Sequence, residues 1–394
     1  MKTYKRCKIA EIGKVISGAT PKTAFAENYG GDIPWITPAD LSGNSEKYIS
    51  HGARNITAKG YDSCSTQMMP AGTVLFSSRA PIGYVAIARN PICTNQGFKS
   101  IVPNPDIDSE FLYYQLKYLR NQIQNMGSGT TFKEISAKVL ADVSVVVPPI
   151  DEQKRIVARI EELFSELDNG VETLRKTKQQ LAVYRQAVLK DIFNGAMGCK
   201  TGTIQSVCSD IVDCPHSTPR WVSDGKICLR TTNFKRGYLD LSEKNYVSEE
   251  TFDKRNTRLV PQPGDVLYSR EGAILGIACI IPDDMYVCLG QRMMLLRAND
   301  KMLGRFLMHY LNSPRVTSFV TTKIGGSASP HVNVGDIKEF VVPIPTIFEQ
   351  QKMVEQIESR LSVCESIEKA IDTTLWQADA MRQSILKQAF ERTC

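Results

Sequence analysis

The stretch that decides the fold runs from Asp151 to Phe193 and reads DEQKRIVARIEELFSELDNGVETLRKTKQQLAVYRQAVLKDIF. A heptad ladder of apolar residues this long predicts a helix that needs a partner helix. At about 1.5 Å per residue the helix would be roughly 60 Å long, which favours a spacer over an element buried in one domain. The ladder consists of Ile160, Leu167, Leu174, Leu181 and Val188, with Leu163, Val171 and Tyr184 near the complementary positions.

A second stretch of the same chain supplies the partner. Residues 349–390 align without a gap with residues 152–193, and they repeat its Glu-Gln start, its Arg-Gln pair and its Leu-Lys-x-x-Phe end. Chance helices share a period but not these identities, so the sequence indicates a duplication. The second ladder consists of Ile357, Cys364, Ile371, Ala378 and Ile385.

The segments before the two helices repeat each other as well. PAGTVLFSSRAPIGYVAIA at 70–88 corresponds to PGDVLYSREGAILGIACII at 263–281, and NQGFK at 95–99 corresponds to GQRM at 290–293. Alternating apolar residues bounded by glycines predict short strands joined by tight turns. Prolines then stop a strand before each helix, and Thr346 with Glu349 predicts a capping box at the second helix.

This order of elements predicts an α/β protein. We expect two mixed α+β globules and two long α-helices that form an intramolecular antiparallel coiled coil, with an internal two-fold duplication. The expected domains are a first globule at 1–150, a central spacer helix at 151–197, a second globule at 198–346 and a C-terminal spacer helix at 347–394.

Charge and composition are compatible with a globular chain that contacts nucleic acid. The chain has 394 residues and a net charge of +6, and residues 1–150 carry 16 basic against 11 acidic residues. Such an excess is compatible with nucleic-acid binding. No apolar run of about 18 residues and no signal-peptide core are visible, so we expect a cytoplasmic protein without a membrane segment. The 11 cysteines form no C-x-x-C pair, which argues against a zinc ribbon.

Motifs for catalysis are missing from the sequence. There is no phosphate-binding loop, no Asn/Asp-Pro-Pro-Tyr run and no metal-ligand spacing among the four histidines. Asp106 followed by Glu152 and Lys154 spells a loose nuclease pattern. However, Glu152 starts a helix, and the duplicate has Gln351 in place of the lysine. We therefore expect a non-catalytic chain with no cofactor and no metal.

The PPIDEQKRIV helix start at 148–157, its long heptad helix and their repetition at the C-terminus closely resemble type I restriction–modification specificity subunits. The SGATPKT opening at 17–23 and the TNQGFKSIV stretch at 94–102 are similar to the target recognition domain of that family. The resemblance implies a DNA-reading scaffold in which each globule reads one half of an asymmetric bipartite site and the paired helices set the spacer between the halves. It also implies double-stranded DNA, two methyltransferase subunits and two restriction/translocase subunits as partners.

Candidate DNA-binding residues lie in polar turns that recur in both copies. Base edges are read by side chains such as Arg, Asn, Gln and Thr, and phosphates take Lys, Arg and backbone amides. For each of these residues a solvated charge or a local turn hydrogen bond is the competing interpretation, and Trp35 and Trp221 are expected to pack instead of stacking on bases. In the first copy the candidates are Thr20, Lys22, Ser77, Arg79, Asn95, Gln96, Lys99, Thr130 and Lys133; in the second they are Thr218, Arg220, Arg230, Ser269, Arg270, Gln291, Arg292, Ser327 and His331.

Two alternatives stay open at this point. The same scaffold could serve a fused methyltransferase–nuclease that cuts on both sides of its site, which a single fused neighbouring reading frame would indicate. The heptad ladder could instead form a homodimerising coiled coil in a structural protein. The matched second ladder favours pairing within the chain. The target bases cannot be deduced from residue types.

Overall fold

The chain divides into two compact units. One consists of Met1–Leu174 with Thr373–Cys394, and the other of Arg175–Asp372. The structure is a computed structural model that describes residues 4–44, 46–129, 133–196, 198–324 and 330–391. Each unit is built from one globule and parts of two long helices.

The first unit combines short strands with short helices ahead of a long one. Its strands are β1 (Lys5–Lys8), β2 (Gly13–Ser17), β3 (Tyr29–Ile33), β4 (Trp35–Ile36), β5 (Tyr48–Ile49), β6 (Val74–Phe76), β7 (Val85–Ala88), β8 (Cys93–Thr94), β9 (Lys99–Pro103) and β10 (Ser144–Val147). Its helices are α1 (Ile9–Ile12), α2 (Ala58–Asp62), α3 (Ser109–Tyr118), α4 (Arg120–Asn125), α5 (Ala137–Ala141) and the beginning of α6 (Ile150–Ala196).

The main sheet of this unit has the order β2-β9-β6-β7-β5, in which β5 runs parallel to β7 and the other pairs are antiparallel. A parallel pair, β4-β8, and an antiparallel pair, β1-β10, complete it. Strand β10 directly precedes α6, so its pairing with β1 ties the start of the globule to the start of the long helix. Phe76 and Phe111 lie in a buried core that also contains Ile160 of α6.

The second unit repeats this plan. Its strands are β11 (Thr201–Thr203), β12 (Cys208–Asp213), β13 (Trp221–Val222), β14 (Lys226–Leu229), β15 (Phe234–Lys235), β16 (Tyr238–Leu239), β17 (Tyr246–Val247), β18 (Val266–Ser269), β19 (Ala278–Ile280), β20 (Val287–Leu289), β21 (Met293–Ala298) and β22 (Val341–Pro343). Its helices are α7 (Ile204–Val207), α8 (Glu249–Arg255), α9 (Gly304–Leu311), α10 (Pro314–Ile324), α11 (Val334–Lys338) and the beginning of α12 (Ile347–Glu391).

The sheets of the second unit correspond to those of the first. The antiparallel order β12-β21-β18-β19 matches β2-β9-β6-β7, the parallel pair β14-β20 matches β4-β8, and β11-β22 matches β1-β10. The predicted duplication of the globules is therefore present in the strand pairing. The four-stranded sheet β13-β17-β14-β20 is larger than its two-stranded counterpart β4-β8, so the copies differ most around this element.

The long helices α6 and α12 contact each other within each unit. In the first unit Arg382 forms an ion pair with Asp168. In the second unit Arg185, the counterpart of Arg382, forms an ion pair with Glu368 at 2.9 Å, and Lys178 reaches Asp372 at 2.5 Å. Partners on α12 fall in sequence number as those on α6 rise, so the helices run antiparallel, as predicted.

A buried glutamine docks the start of each long helix on its globule. Gln153 donates from Nε2 to the carbonyls of Asp106 at 3.0 Å and Pro148 at 2.9 Å, and its Oε1 accepts from the Asp108 amide at 2.8 Å. Both Gln153 and its counterpart Gln350 are completely buried. Gln350 donates to the carbonyls of Lys301 and Pro345 and accepts from the Leu303 amide, at 2.8, 2.9 and 2.8 Å. The repeated Glu-Gln identity therefore encodes a docking contact.

The far end of each long helix docks through a phenylalanine. Phe193 of α6 packs edge-on against Phe306 of α9, with ring centroids 5.3 Å apart. Phe390 of α12 packs in the same way against Phe111 of α3 at 5.4 Å. Each globule thus contacts the beginning of one long helix and the end of the other.

The heptad prediction is confirmed for most of its positions. Ile160 and Val188 on α6 and Ile357 and Cys364 on α12 are at most 2% exposed. Tyr184 is the exception: its side chain is 48% exposed, and the prediction that it belongs to the seam was wrong. The neighbouring Arg185 takes the partly buried position because it pairs with the other helix.

The predicted capping box is also present. The Thr346 hydroxyl and amide donate to Glu349 Oε2, both at 2.8 Å, and these hydrogen bonds lower the pKa of the Glu349 carboxyl. No helix in the described part of the chain is both long and apolar enough to cross a membrane.

Candidate nucleic-acid interface

Three loops meet at one end of the first unit. We name them the opening loop (18–22), the strand-end loop (77–83) and the glutamine turn (95–97), and together they form the reading face of the unit. The Ala19 amide donates to the Thr94 carbonyl at 3.0 Å, which ties the opening loop to the glutamine turn. The Ser78 amide donates to the Gly97 carbonyl at 2.7 Å, which ties in the strand-end loop.

Polar candidates of the first unit meet at the glutamine turn. The Thr20 hydroxyl donates to Gln96 Oε1. Asn95 Oδ1 accepts from the Gly97 amide at 2.9 Å and so shapes the turn. Ser77 is completely buried, where its hydroxyl donates to the Pro81 carbonyl at 2.7 Å and accepts from the Tyr84 amide at 2.8 Å. Gln96 is the exposed member of this group.

Charged candidates of the first unit gather around Glu134. Arg79 and Lys99 approach its two carboxylate oxygens at 3.5 and 3.6 Å. The Lys99 side chain is only 10% exposed, whereas that of Arg79 is 39% exposed. Lys133 is exposed and lines a cleft beside Ala80, and Lys22 is exposed on the opening loop. Arg79, Lys133 and Lys22 can therefore reach a ligand more directly than Lys99 can.

The second unit builds the same face from residues 216–220, 269–276 and 290–292, to which the three names also apply. Thr218 Oγ1 donates to Gln291 Oε1 at 3.2 Å, which is the same contact as between Thr20 and Gln96. Gln291 Nε2 donates in addition to the His216 carbonyl. Ser269 is completely buried and holds its loop closed through Ile277, as Ser77 does through Tyr84.

Arg270 is the most enclosed charged candidate. It is 6% exposed and makes two hydrogen bonds to Asp213, at 2.8 and 2.9 Å. Burial by itself would lower the pKa of the guanidinium, but the hydrogen bonds and charge of Asp213 raise it above its usual value. The second Asp213 oxygen also lies 3.2 Å from His216 Nε2. Arg270 therefore links the strand-end loop to the opening loop.

Arg292 has a backbone that arginine rarely adopts. Its φ is +67°, in the left-handed region. Such a conformation costs of order 1 kcal/mol or more for a residue with a side chain, and these outliers cluster at functional sites. Its side chain is exposed and would lie 3.1 Å from a Cβ at Gly272, so it rests over the strand-end loop.

The remaining candidates border this face. His331 is exposed and its backbone bridges Glu271 of the strand-end loop. Arg220 and Arg230 are exposed, and the Arg230 guanidinium lies 5.6 Å from the centre of the Trp221 ring. Trp221 is 38% exposed, whereas Trp35 is 6% exposed and is confirmed as a packing residue. Thr130 and Ser327 lie outside the described residues.

Three residues that complete these faces were not recognised from the sequence. Glu134 and Asp213 organise the arginines and lysines described above. Arg255 is 8% exposed, and its guanidinium donates to the carbonyls of Pro215, Ser217, Leu289 and Gly290 at 2.6–3.2 Å. It thereby fastens the opening loop to the glutamine turn. Its sequence context gives no signal, because a buried arginine and a surface arginine look alike in a single sequence.

The nuclease-like pattern has a structural use. Glu152 forms an ion pair with Arg155 at 3.2 Å on the surface of α6, and the Asp106 carbonyl accepts from Gln153. Within the described ranges, no group of three or more His, Cys, Asp and Glu side chains could hold a metal ion.

Comparison with known proteins identifies the family. The family described as "Type I restriction modification DNA specificity domain" matches residues 1–181 and 222–376. The type I restriction enzyme MjaIX specificity subunit of Methanocaldococcus jannaschii is 42% identical over 47% of this chain and 43% of its own length, so that alignment spans less than half of the relative. The EcoBI specificity subunit of Escherichia coli is 23% identical over 98% of this chain and 85% of its own length.

A solved structure shares the fold along the whole chain. It is described as the "structural basis underlying complex assembly and conformational transition of the type I R-M system". Its chain has a TM-score of 0.74 at 18% identity and covers 99% of this chain and 98% of its own. The matched relatives are named as specificity subunits and not as methyltransferases or nucleases, which agrees with the expectation of a non-catalytic chain. The chain belongs to the type I restriction–modification DNA specificity family, as a specificity subunit.

Proposed function

We propose that each globule reads one half of an asymmetric bipartite site in double-stranded DNA and that the paired helices fix the unread spacer between the halves. The observation that carries the proposal is the repeated reading face, with the same Thr-Gln hydrogen bond in each unit. Two similar faces with different charged residues suit two different half-sequences on one duplex. The domains are those predicted from the sequence: recognition domains at 1–150 and 198–346, spacer helices at 151–197 and 347–394.

The candidate residues on each face fall into an exposed group and a buried group. Exposed basic residues suit phosphates, which position a protein on the duplex without reading its sequence. Lys22, Arg79 and Lys133 have this role in the first unit, and Arg220, Arg230 and Arg292 have it in the second. The buried Ser77, Lys99, Ser269 and Arg270 instead hold the loops in shape, so their contribution to DNA binding is indirect.

We assign the docking of two methyltransferase subunits to the long helices. Large apolar side chains are exposed on them: Val183 is 71% exposed, Val363 59% and Trp376 74%. A protein partner would bury these side chains. Two restriction/translocase subunits complete the proposed cytoplasmic complex. The chain itself contributes no cofactor and no catalytic residue.

Selection of DNA tests this proposal. The full chain, alone and together with a type I methyltransferase subunit, is incubated with a pool of random duplexes, and the bound fraction is sequenced. We expect two defined half-sites at a fixed separation. In a hybrid that takes residues 198–346 from a relative, one half-site should change and the other should stay. Enrichment of a single continuous site, or change in both halves of the hybrid, would refute bipartite reading.

A further inference from the structure

The glutamine turn has the chemistry to read a particular base. Gln291 can make four hydrogen bonds, because its Oε1 accepts two and its Nε2 donates two. Thr218 occupies one acceptor position at 3.2 Å, and the His216 carbonyl occupies one donor position. Among the hydrogen bonds of the described residues, one acceptor position and one donor position of the same amide stay unused.

The orientation of this amide is fixed by its neighbours. A backbone carbonyl can only accept, so the atom that faces His216 must be the amide nitrogen, and the oxygen then faces Thr218. Arg255 holds both loops through carbonyls on either side of the contact, with 2.7 Å to Gly290 and 3.1 Å to Ser217. These contacts therefore fix the position and the orientation of the amide.

The remaining pair of groups matches one base edge in the major groove. Adenine offers its N6 amino group as a donor beside N7 as an acceptor, and a glutamine amide pairs with both at once. Guanine offers two acceptors there, and cytosine offers a donor without the adjacent acceptor. We infer that Gln291 reads an adenine in the second half-site, and that Gln96 reads an adenine in the first.

The two glutamines differ in how firmly they are held. Gln96 accepts from the Thr20 hydroxyl, but among the described residues it makes no hydrogen bond from Nε2 to a backbone carbonyl. Gln96 is also exposed, whereas Gln291 is half-buried. Discrimination by Gln96 should therefore be weaker than discrimination by Gln291.

This inference rests on the proposed function, and equilibrium binding separates the two. The full chain is titrated with its selected duplex and with a set of duplexes that each carry one base-pair substitution. In the wild type, one A·T pair per half-site should lose about 5- to 150-fold in affinity on substitution. In Gln291→Ala that penalty should disappear at one position of the second half-site only, and in Gln96→Ala at one position of the first.

Conservative and control variants keep the result interpretable. Thr218→Val removes the hydroxyl that orients Gln291 but keeps the glutamine, so it should reduce the penalty at the same A·T pair without abolishing it. Gln291→Glu, which can only accept, should shift preference towards a base pair that offers the cytosine amino group. Gln67→Ala and Gln262→Ala alter exposed glutamines outside the reading faces and should leave every penalty unchanged.

Each outcome decides the matter. If Gln291→Ala loses its discrimination at a G·C pair, Gln291 does not read an adenine. The same follows if folded Gln291→Ala and Thr218→Val keep the wild-type loss of affinity at every substituted base pair. In either case bipartite binding stands. If the wild type selects no bipartite duplex, the proposed function fails and the inference fails with it.

Discussion

The buried glutamines Gln153 and Gln350 provide a sharp test of how the long helices are attached to the globules. Replacing Gln153 with Leu keeps an unbranched start to the side chain and a similar volume but removes all three hydrogen bonds. The Asp108 amide loses its acceptor, and the carbonyls of Asp106 and Pro148 lose a donor. Since Gln153 is completely buried, water cannot replace these bonds without opening the contact.

The size of the effect follows from the number of bonds. At about 1 kcal/mol for each, the loss is about 3 kcal/mol, and more if the buried amide stays unpaired. With a urea dependence of about 2 kcal/mol per molar, the unfolding midpoint should fall by about 1.5 M. Gln350→Leu should have a similar effect, because its three contacts have nearly the same lengths.

The assay is urea unfolding of the full chain, followed by circular dichroism and by tryptophan fluorescence. Gln351→Leu is the matched control, because this neighbour of Gln350 is exposed and donates to Glu355 on its own helix, at 3.0 Å. Its free energy of unfolding should change by less than about 0.5 kcal/mol. If Gln153→Leu and Gln350→Leu both unfold at the wild-type midpoint, the glutamines do not dock the helices.

Further measurements address single features of the chain. Arg292→Gly should relieve its left-handed backbone and raise the free energy of unfolding by about 1 kcal/mol, while the slope of log affinity for DNA against log salt becomes shallower by about 0.9. His309 and Arg305, whose nitrogens lie 3.5 and 3.0 Å from Glu358 Oε1, lower the pKa of the Glu358 carboxyl below its usual 4.5. Its stabilisation is therefore present above that pH and lost as the pH falls below it, and Glu358→Gln should remove this part of the acid dependence in denaturation curves. Ile357→Ala should cost about 2–5 kcal/mol in the same unfolding assay, whereas Val363→Ala on the exposed side of the same helix should cost less than about 0.5.

Sequence reasoning recovered the elements that depend on local periodicity. The heptad ladders predicted α6 and α12 almost to the residue, because a seam with this spacing has few other solutions. The strands were recognised because alternation and glycine punctuation are also local signals. The error at Tyr184 arose where an aromatic residue was assigned to the seam by spacing alone, while its neighbour Arg185 could pair with Glu368.

Which loops lie together could be predicted from the sequence as regions but not as contacts. The polar turns repeated in both copies meet in each unit, where the Thr20–Gln96 and Thr218–Gln291 hydrogen bonds join them; their role in DNA binding stays a prediction. Residue type could not show which side chains are exposed. Arg270 is enclosed beside Asp213. Because Asp213 lies 57 positions earlier in the sequence, only the fold brings the two residues together. Lys99 is enclosed for the same kind of reason, beside Glu134.

The two copies differ in how their loops are held and agree in how their long helices are attached. Both copies hold the opening loop against the core, but by different chemistry. In the first unit Trp35 Nε1 donates to the Ala19 carbonyl at 3.1 Å and the Tyr29 hydroxyl donates to the Pro21 carbonyl at 2.7 Å. In the second unit the Arg255 guanidinium holds the loop by donating to the carbonyls of Ser217 and Pro215.

The docking contacts, in contrast, are repeated with the same residue types. A glutamine at each helix start and a phenylalanine at each helix end meet equivalent surfaces, and each phenylalanine reaches the globule at the far end of its helix. The residues that hold the opening loops, which are Trp35, Tyr29 and Arg255, contact residues of their own globule. A chain built in this way can change what one globule recognises without altering how the long helices attach. The domain exchange proposed above should therefore preserve folding as well as the unexchanged half-site.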